Sequence, residues 1–203
     1  MTASPLPFDP HETEFMRALC KATLEAGARI MHHYKNGVET EEKSDNSPVT
    51  QADRDAETMI EQALATLAPD IQMVGEEACS EQVPDKLAPH FFLVDPLDGT
   101  RDFIAKRKDF TVHIGLISGT RPVAGVIYAP VHEKLYFSGP QSAFLIKLAP
   151  TDTLDMGKAE ALRISPFPDN GLRVLASRSH RDKKTDALIN QLHIRDVIPA
   201  SSS

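Results

Sequence analysis

Three carboxylates stand directly behind two short apolar segments that are typical of β-strands. Glu76 follows residues 71–74, and Asp95 and Asp98 follow residues 91–94. If the two strands are parallel or adjacent, their ends meet at one edge of a sheet and bring the three carboxylates together. Two carboxylates about 4 Å apart repel each other by roughly 4 kcal/mol at an effective dielectric constant near 20, so such a cluster protonates, separates or binds cations. Hard oxygen ligands of this kind favour Mg²⁺ over Zn²⁺.

The turn after the second strand has the sequence Asp95-Pro96-Leu97-Asp98-Gly99. Pro stiffens the turn and Gly lets the backbone fold tightly, so the spacing can aim both carboxylates and the carbonyl oxygen of Leu97 at one volume. Asp, Pro and Gly are also common in turns that have no function, and this segment alone fits such a turn as well.

Two helices are predicted before these strands. Asp9, Pro10 and Glu12 predict the start of the first helix, with Asp9 as the cap, Pro10 in the first turn and Glu12 completing a capping box. Asn36 and Gly37 predict its end. The apolar residues expected on its buried face are Phe15, Leu19, Ala22, Ala26 and Ile30.

The second helix is predicted to begin near Thr50, after a polar and irregular segment at residues 38–49, and to end before Pro69. The residues expected on its buried face are Ala52, Ala56, Met59, Ala63 and Leu67.

After the helices, the periodicity of the apolar residues changes to that of short strands. The predicted strands are at residues 71–74, 91–94, 111–118, 123–128, 134–137 and 143–147, with a hairpin turn at 119–122. This order predicts an α+β fold in which N-terminal helices pack on a largely antiparallel sheet. A polar linker is expected at residues 150–160. A strand at 173–176, a helix at 181–192 and a strand at 195–198 predict an α/β domain. We therefore expect domains at residues 9–158 and 159–203, the second one incomplete.

The overall charge limits the classes of partner. The 203 residues include 22 Lys and Arg and 29 Asp and Glu, which gives a net charge of −7. An acidic chain has no general electrostatic basis for binding a nucleic acid polymer, whereas a small phosphorylated metabolite can bind through metal ions. No apolar run approaches the length of a transmembrane helix and no signal peptide is evident, so we expect a cytoplasmic location.

The cysteines and histidines are expected to have no role in the chemistry. Cys20 and Cys79 form neither a disulfide framework nor a metal motif, and we expect reduced thiols. His32, His33 and His113 are expected to be structural because no further metal-ligand spacing surrounds them.

The sequence resembles the Mg²⁺-dependent, lithium-sensitive phosphatases of the inositol monophosphatase superfamily. The resemblance rests on three motifs in the family's order: Ser47-Pro48-Val49-Thr50 with Ala52-Asp53, Gly75-Glu76-Glu77, and Asp95-Pro96-Leu97-Asp98-Gly99-Thr100. Within the superfamily, residues 101–104 and 177–180 are similar to the 3′(2′),5′-bisphosphate nucleotidases, which remove the 3′-phosphate from adenosine 3′,5′-bisphosphate. The resemblance implies a layered αβαβα sandwich.

The resemblance also implies roles for individual residues. Asp53 and Thr100, assisted by Glu76, would orient and deprotonate the attacking water. The ligands implied for two or three Mg²⁺ ions in the complete enzyme are Glu76, Asp95, the Leu97 carbonyl and Asp98. The implied substrate contacts are Asp98, Gly99, Thr100, Ser177 and His180, with a helix after Gly99 offering its amides to phosphate oxygens. Residues 177–180 also fit an ordinary helix cap, and the basic run 106–108 fits either a solvated face or substrate steering.

One family motif, Trp-Asp-x-Ala-Ala-Gly, supplies a further metal-site Asp, and the sequence contains no Trp. We therefore expect an incomplete second metal site in this chain. Three alternatives stay open: an inositol monophosphatase, a sugar bisphosphate phosphatase, and a non-catalytic remnant that binds metal and nucleotide without turnover. A homodimer and peripheral association with the inner membrane also stay open.

Overall fold

The computed structural model describes residues 5–42, 48–177 and 181–200. The chain folds into two compact units, of which the first ends at Leu162 and the second begins at Arg163. In the described part of the chain, no helix combines the length and the apolar character needed to cross a bilayer. The division predicted between residues 158 and 159 stays a prediction.

Helix α1 spans Thr13–Asn36. The predicted start was wrong, because Glu12 rather than Asp9 caps the helix: its carboxylate accepts hydrogen bonds from the amides of Glu14 and Phe15. Asp9 instead forms a separate turn, in which its carboxylate accepts the amide of His11 at 2.9 Å. The predicted buried face is confirmed, since Phe15, Leu19, Ala22, Ala26 and Ile30 are all buried.

Helix α2 spans Gln51–Leu67 and has Thr50 as its N-cap, which confirms the predicted start. Ala52 and Ala56 are buried as expected, but Met59 is 36% exposed. The buried stripe turns to Ile60 and Leu64, because the helical repeat continues from Ala56 by steps of four.

The segment predicted to be irregular before α2 contains a small hairpin. Strand β1, Thr40–Glu42, pairs antiparallel with β2, Pro48–Thr50. The prediction was therefore wrong for these residues, while residues 43–47 lie outside the described part of the chain.

In the described part of the first unit, seven strands form the main sheet. They are β3 Gln72–Gly75, β4 His90–Asp98, β5 Thr111–Ser118, β6 Arg121–Ala129, β7 Lys134–Ser138, β8 Ala143–Lys147 and β9 Glu160–Ala161. The strands lie side by side in chain order; β3 and β4 are parallel, and every following pair is antiparallel. Helices α1 and α2 pack on this sheet and bury one continuous apolar core, which confirms the predicted α+β layering. Strand β9 lies partly within the segment that was predicted to be a linker.

Two short helices follow the strands that lead into the predicted site. Helix α3, Glu76–Glu81, follows β3 directly, and α4, Thr100–Ile104, follows β4 after Gly99. The second unit contains β10, Leu172–Ser177, α5, Lys183–Ile189, and β11, Ile194–Ala200. Strands β10 and β11 are parallel, as the predicted β-α-β order requires.

Candidate active site

The parallel pair β3–β4 brings two of the predicted carboxylates together. Gly75 is the register partner of Val94, and the next residues along the chain are Glu76, directly after β3, and Asp95 of β4. Burial, the negative charge and hydrogen bond of Glu76, and the charge of Asp98 together raise the pKa of Asp95 to about 8. A bound cation would offset the charges of Glu76 and Asp98 that contribute to this shift.

The antiparallel pair β4–β5 adds a histidine to this region. Asp95 lies opposite His113 and Asp98 lies opposite Thr111, with an irregularity between the two aspartates. Asp95, Asp98 and His113 each offer one donor atom, and the three atoms lie within 4.8 Å of one another. His113 Nε2 is 2.7 Å from Thr111 Oγ1 and 3.9 Å from Asp98 Oδ2. Burial lowers the pKa of His113, and the charge of Asp98 opposes this shift.

Sequence reasoning left His113 out of the site, and the structure places it within the cluster. The pairing of His113 with Asp95 across β4 and β5 would have indicated that His113 belongs to the site. The connection between β4 and β5 holds a helical turn and is too long for hairpin rules to set the register from sequence.

The turn that carries the Leu97 carbonyl is fixed on both sides. The amide of Leu97 donates to Asp95 Oδ1 at 3.2 Å, and the Leu97 side chain is 1% exposed. Gly99 has a φ of 93°, a left-handed conformation that strains any residue with a Cβ. The predicted helix follows it, and the amides of Asp102 and Phe103 donate to the Gly99 carbonyl.

Asp53 and Thr100, the predicted catalytic pair, are joined by a hydrogen bond. Thr100 Oγ1 lies 3.1 Å from Asp53 Oδ1 and 3.0 Å from the carbonyl oxygen of Leu97. The other oxygen of Asp53 accepts the amide of Thr50 at 2.8 Å and the Thr50 hydroxyl at 2.6 Å. Asp53 is 1% exposed; this burial raises its pKa, and the hydrogen bonds from Thr50 and Thr100 oppose the shift.

The other two predicted substrate residues, Ser177 and His180, stay predictions. Ser177 is the last residue of β10 in the second unit. His180 and the rest of the segment 178–180 lie outside the described residues, as does Ser47 of the first motif.

Two residues of the basic run at 106–108 interact with neighbouring side chains of the first unit. The Lys106 ammonium lies 4.7 Å from the centre of the Tyr34 ring, and Arg107 is paired with Asp102.

The donor set fits Mg²⁺. The carboxylates of Asp95 and Asp98, the neighbouring Glu76 and the Leu97 carbonyl would provide hard oxygen ligands for such an ion. His113 adds a nitrogen, which is a better ligand for transition metals than for Mg²⁺.

Comparison with known proteins places the chain in a family. Residues 11–188 match the inositol monophosphatase family. The chain is 35% identical over 190 residues to the 3′(2′),5′-bisphosphate nucleotidase CysQ of Salmonella typhimurium, covering 93% of this chain and 73% of that protein. It is 34% identical over 187 residues to CysQ of Escherichia coli strain K12, covering 91% of this chain and 72% of that protein.

Solved structures agree with this assignment. The crystal structure of CysQ from Bacteroides thetaiotaomicron, a bacterial member of the inositol monophosphatase family, matches with a TM-score of 0.74 and 28% identity, over 96% of this chain and 75% of that one. An inositol monophosphatase from Zymomonas mobilis matches with a TM-score of 0.68 and 26% identity, over 96% of this chain and 71% of that one. The chain therefore belongs to the inositol monophosphatase family, and it is a phosphatase.

Proposed function

We propose that this phosphatase is Mg²⁺-dependent and removes the 3′-phosphate from adenosine 3′,5′-bisphosphate. The observation that carries the chemistry is the hydrogen bond between Thr100 and the buried Asp53, directly beside the Asp95–Asp98 turn. The substrate assignment is supported by the similarity to the bisphosphate nucleotidase relatives and by the run at residues 101–104.

Glu76, Asp95, Asp98 and the Leu97 carbonyl are the groups proposed to hold the metal. When bound, Mg²⁺ neutralises the phosphoryl oxygens and makes a nearby water more acidic. The carboxyl group of Asp95 has to lose its proton before it can serve as a ligand, because only the ionised form donates to a cation in this way.

Thr100 is proposed to act on the water through its hydroxyl oxygen. A hydroxyl has one hydrogen, and two acceptors compete for it here: Asp53 Oδ1 at 3.1 Å and the Leu97 carbonyl at 3.0 Å. If the Leu97 carbonyl serves as a metal ligand, the hydrogen of Thr100 is directed to Asp53. The lone pairs of the Thr100 oxygen then accept a hydrogen bond from the attacking water and hold it in position.

Asp53 is suited to receive the proton in this arrangement. Burial already raises its pKa, and its second oxygen is held by the amide and hydroxyl of Thr50. As the water oxygen bonds to phosphorus, one proton of the water moves to the Asp53–Thr100 pair, the bond from phosphorus to the 3′-oxygen breaks, and the 3′-oxygen takes a proton from a second water and leaves as the hydroxyl. The amides of Gly99 and Thr100 are proposed to contact the phosphate oxygens.

Phosphate release from the purified chain tests this proposal. We expect the ratio kcat/KM to be higher for adenosine 3′,5′-bisphosphate than for inositol 1-phosphate or a sugar bisphosphate, and release to stop when Mg²⁺ is chelated. Asp95→Asn is the matched control for a contaminating phosphatase. A preference for inositol 1-phosphate would contradict the substrate assignment, and equal release from the Asp95→Asn variant would contradict the site.

A further inference from the structure

Glu57 is a buried acidic residue of α2 that lies outside the site described above. It is 8% exposed and one turn of the helix beyond Asp53. Its two carboxylate oxygens accept the amide of Glu77 and the amide of Ala78, each at 2.9 Å. A buried carboxylate held by two amides forms charge-assisted hydrogen bonds, which are stronger than neutral ones.

These two amides belong to the first turn of α3, whose N–H groups have no partner within the helix. The residue in the capping position of α3 is Gly75, which has no side chain that could accept them. The cap is therefore supplied from a different helix, by Glu57, across about twenty residues of sequence.

The close approach of Glu57 also explains why residue 75 is a glycine. A Cβ atom at Gly75 would lie 2.5 Å from Cδ of Glu57 and 2.6 and 2.7 Å from its two oxygens. The φ of Gly75 is −97°, which any residue can adopt, so the backbone conformation does not require glycine. The small residue is needed because of the carboxylate next to it.

Glu76 lies between these two restraints. On one side Gly75 pairs with Val94 in the sheet, and on the other side the amide of Glu77 is held by Glu57. We infer that Glu57 is a positioning residue, which fixes the backbone at Glu76 so that this carboxylate faces Asp95 in the metal site. The inference rests on the proposed function, because that function makes Glu76 a metal ligand.

The alternative is that Glu57 only stabilises the fold, and Mg²⁺ affinity separates the two roles. Glu57→Gln keeps the size of the side chain but has one acceptor oxygen, so its amide nitrogen faces one N–H of α3 as a second donor. Mutation of a residue that orients a metal ligand typically weakens binding about 10–100-fold, and we expect a loss of that size for Mg²⁺. Glu61→Gln is the charge-matched control on the same helix, at an exposed position, and should bind Mg²⁺ as the wild type does.

Binding is measured by calorimetric titration of the full chain with Mg²⁺, and the unfolding midpoint of each variant is measured in chelator. Amide hydrogen exchange of residues 77 and 78 reports the cap directly and should be faster in Glu57→Gln. A Glu57→Gln variant that is less stable in chelator but binds Mg²⁺ with wild-type affinity would overturn the inference.

A double-mutant cycle tests the steric part. Gly75→Ala should weaken Mg²⁺ binding because the new methyl group displaces the Glu57 carboxylate from the amides. Glu57→Ala has no carboxylate for the methyl group to displace. The double variant Gly75→Ala with Glu57→Ala should therefore bind Mg²⁺ no more weakly than Glu57→Ala alone. Additive losses in the double variant would show that the two residues act independently and would overturn the inference.

The same titrations separate a failure of this inference from a failure of the proposed function. If the wild type does not bind Mg²⁺, or if Glu76→Gln binds it equally well, the proposed metal site and this inference both fall. If Glu76→Gln loses binding while Glu57→Gln keeps it, the metal site stands and only the positioning role is refuted.

Discussion

Asp95 and His113 are directly opposed residues of the antiparallel strands β4 and β5. Opposed residues have their side chains on the same face of the sheet, with Cβ atoms about 5 Å apart. The imidazole therefore lies beside the aspartates that the sequence marks as Mg²⁺ ligands, and its burial lowers its pKa and so favours the neutral form that can donate to a metal. The site combines a hard oxygen set with one nitrogen of intermediate softness.

This relationship predicts a change of metal preference in His113→Asn. Imidazole suits Zn²⁺, whereas Mg²⁺ prefers oxygen, so we expect a Zn²⁺ affinity lower by about tenfold and a Mg²⁺ affinity within about threefold of the wild type. Competition titrations of both proteins with the two metals measure this ratio. An equal loss of affinity for both metals would mean that His113 supports the fold of the site and does not select the metal.

The raised pKa of Asp95 predicts how stability and Mg²⁺ binding depend on pH. Burial and the negative charges of Glu76 and Asp98 hold it at about 8, above the value of about 3.9 for an unfolded Asp. Between these pH values the metal-free folded state binds more protons than the unfolded state, so the contribution of Asp95 to stability falls as the pH rises. Mg²⁺ requires the ionised form, so the rise in Tm that it causes should grow between about pH 6 and about pH 8.5.

Asp95→Asn tests the same residue without a titrating group. The variant should lose most of the Mg²⁺-dependent rise in Tm, which at 100 times the dissociation constant corresponds to about 2.7 kcal/mol. Thermal melts with Mg²⁺ and with chelator, at each end of the pH range, give the comparison. A Mg²⁺ response as large as that of the wild type would exclude Asp95 as a ligand.

The convergence of Glu76, Asp95 and Asp98 could be predicted because it depends on short-range features. Strand periodicity locates the ends of β3 and β4, and the parallel pairing of these two strands brings their ends to the same edge of the sheet. The start of α2 near Thr50 could likewise be predicted, because the side chains of Thr50 and Asp53 satisfy each other's backbone amides within three residues.

The features that were missed depend on choices that the sequence leaves open. Asp9 and Glu12 can both cap α1, and only the packed structure shows that Glu12 does. The register of β4 against β5 follows from burial of alternate residues across the whole sheet, so the pairing of Asp95 with His113 has no local signal. The cap that Glu57 provides for α3 joins two separate helices, so it cannot be predicted from the sequence of either helix alone.

Asp55 predicts an acid-sensitive contribution to stability away from the site. Although burial alone would raise its pKa, hydrogen bonds from Gln51, His33 and Arg29 hold it at about 2. This is below the unfolded value of about 3.9, so the contribution is fully present above that pH and is lost as the pH falls through about 2. We expect Asp55→Asn to lower the free energy of unfolding at neutral pH by about 1–2 kcal/mol.

Denaturant unfolding between about pH 2 and about pH 7 compares Asp55→Asn with Asp70→Asn, a change at an exposed carboxylate. The difference between Asp55→Asn and the wild type should shrink toward the acid end of this range. A difference that stays constant with pH would show that packing, and not the ionised carboxylate, accounts for the loss.

Asp53→Asn should remove turnover while leaving the metal site intact. The asparagine oxygen can keep both hydrogen bonds from Thr50, so its NH₂ group is left facing Thr100 and donates to the hydroxyl oxygen. An amide is not a base, so the pair can no longer accept a proton from water. We expect turnover to fall by about 10²–10⁴, the usual loss for a general base, with Mg²⁺ affinity close to that of the wild type.

Thr100→Ala should act on the same step, and Thr100→Ser, which keeps the hydroxyl, is its matched control. Because Asp53 and Thr100 work as one hydrogen-bonded unit, the double variant Asp53→Asn with Thr100→Ala should be little slower than the slower single variant. Initial rates of phosphate release at saturating Mg²⁺, with the Mg²⁺ affinity of each variant measured alongside, provide the test. Losses that multiply in the double variant, or a fall in turnover of less than about threefold for Asp53→Asn, would show that the two residues do not share the proton from water.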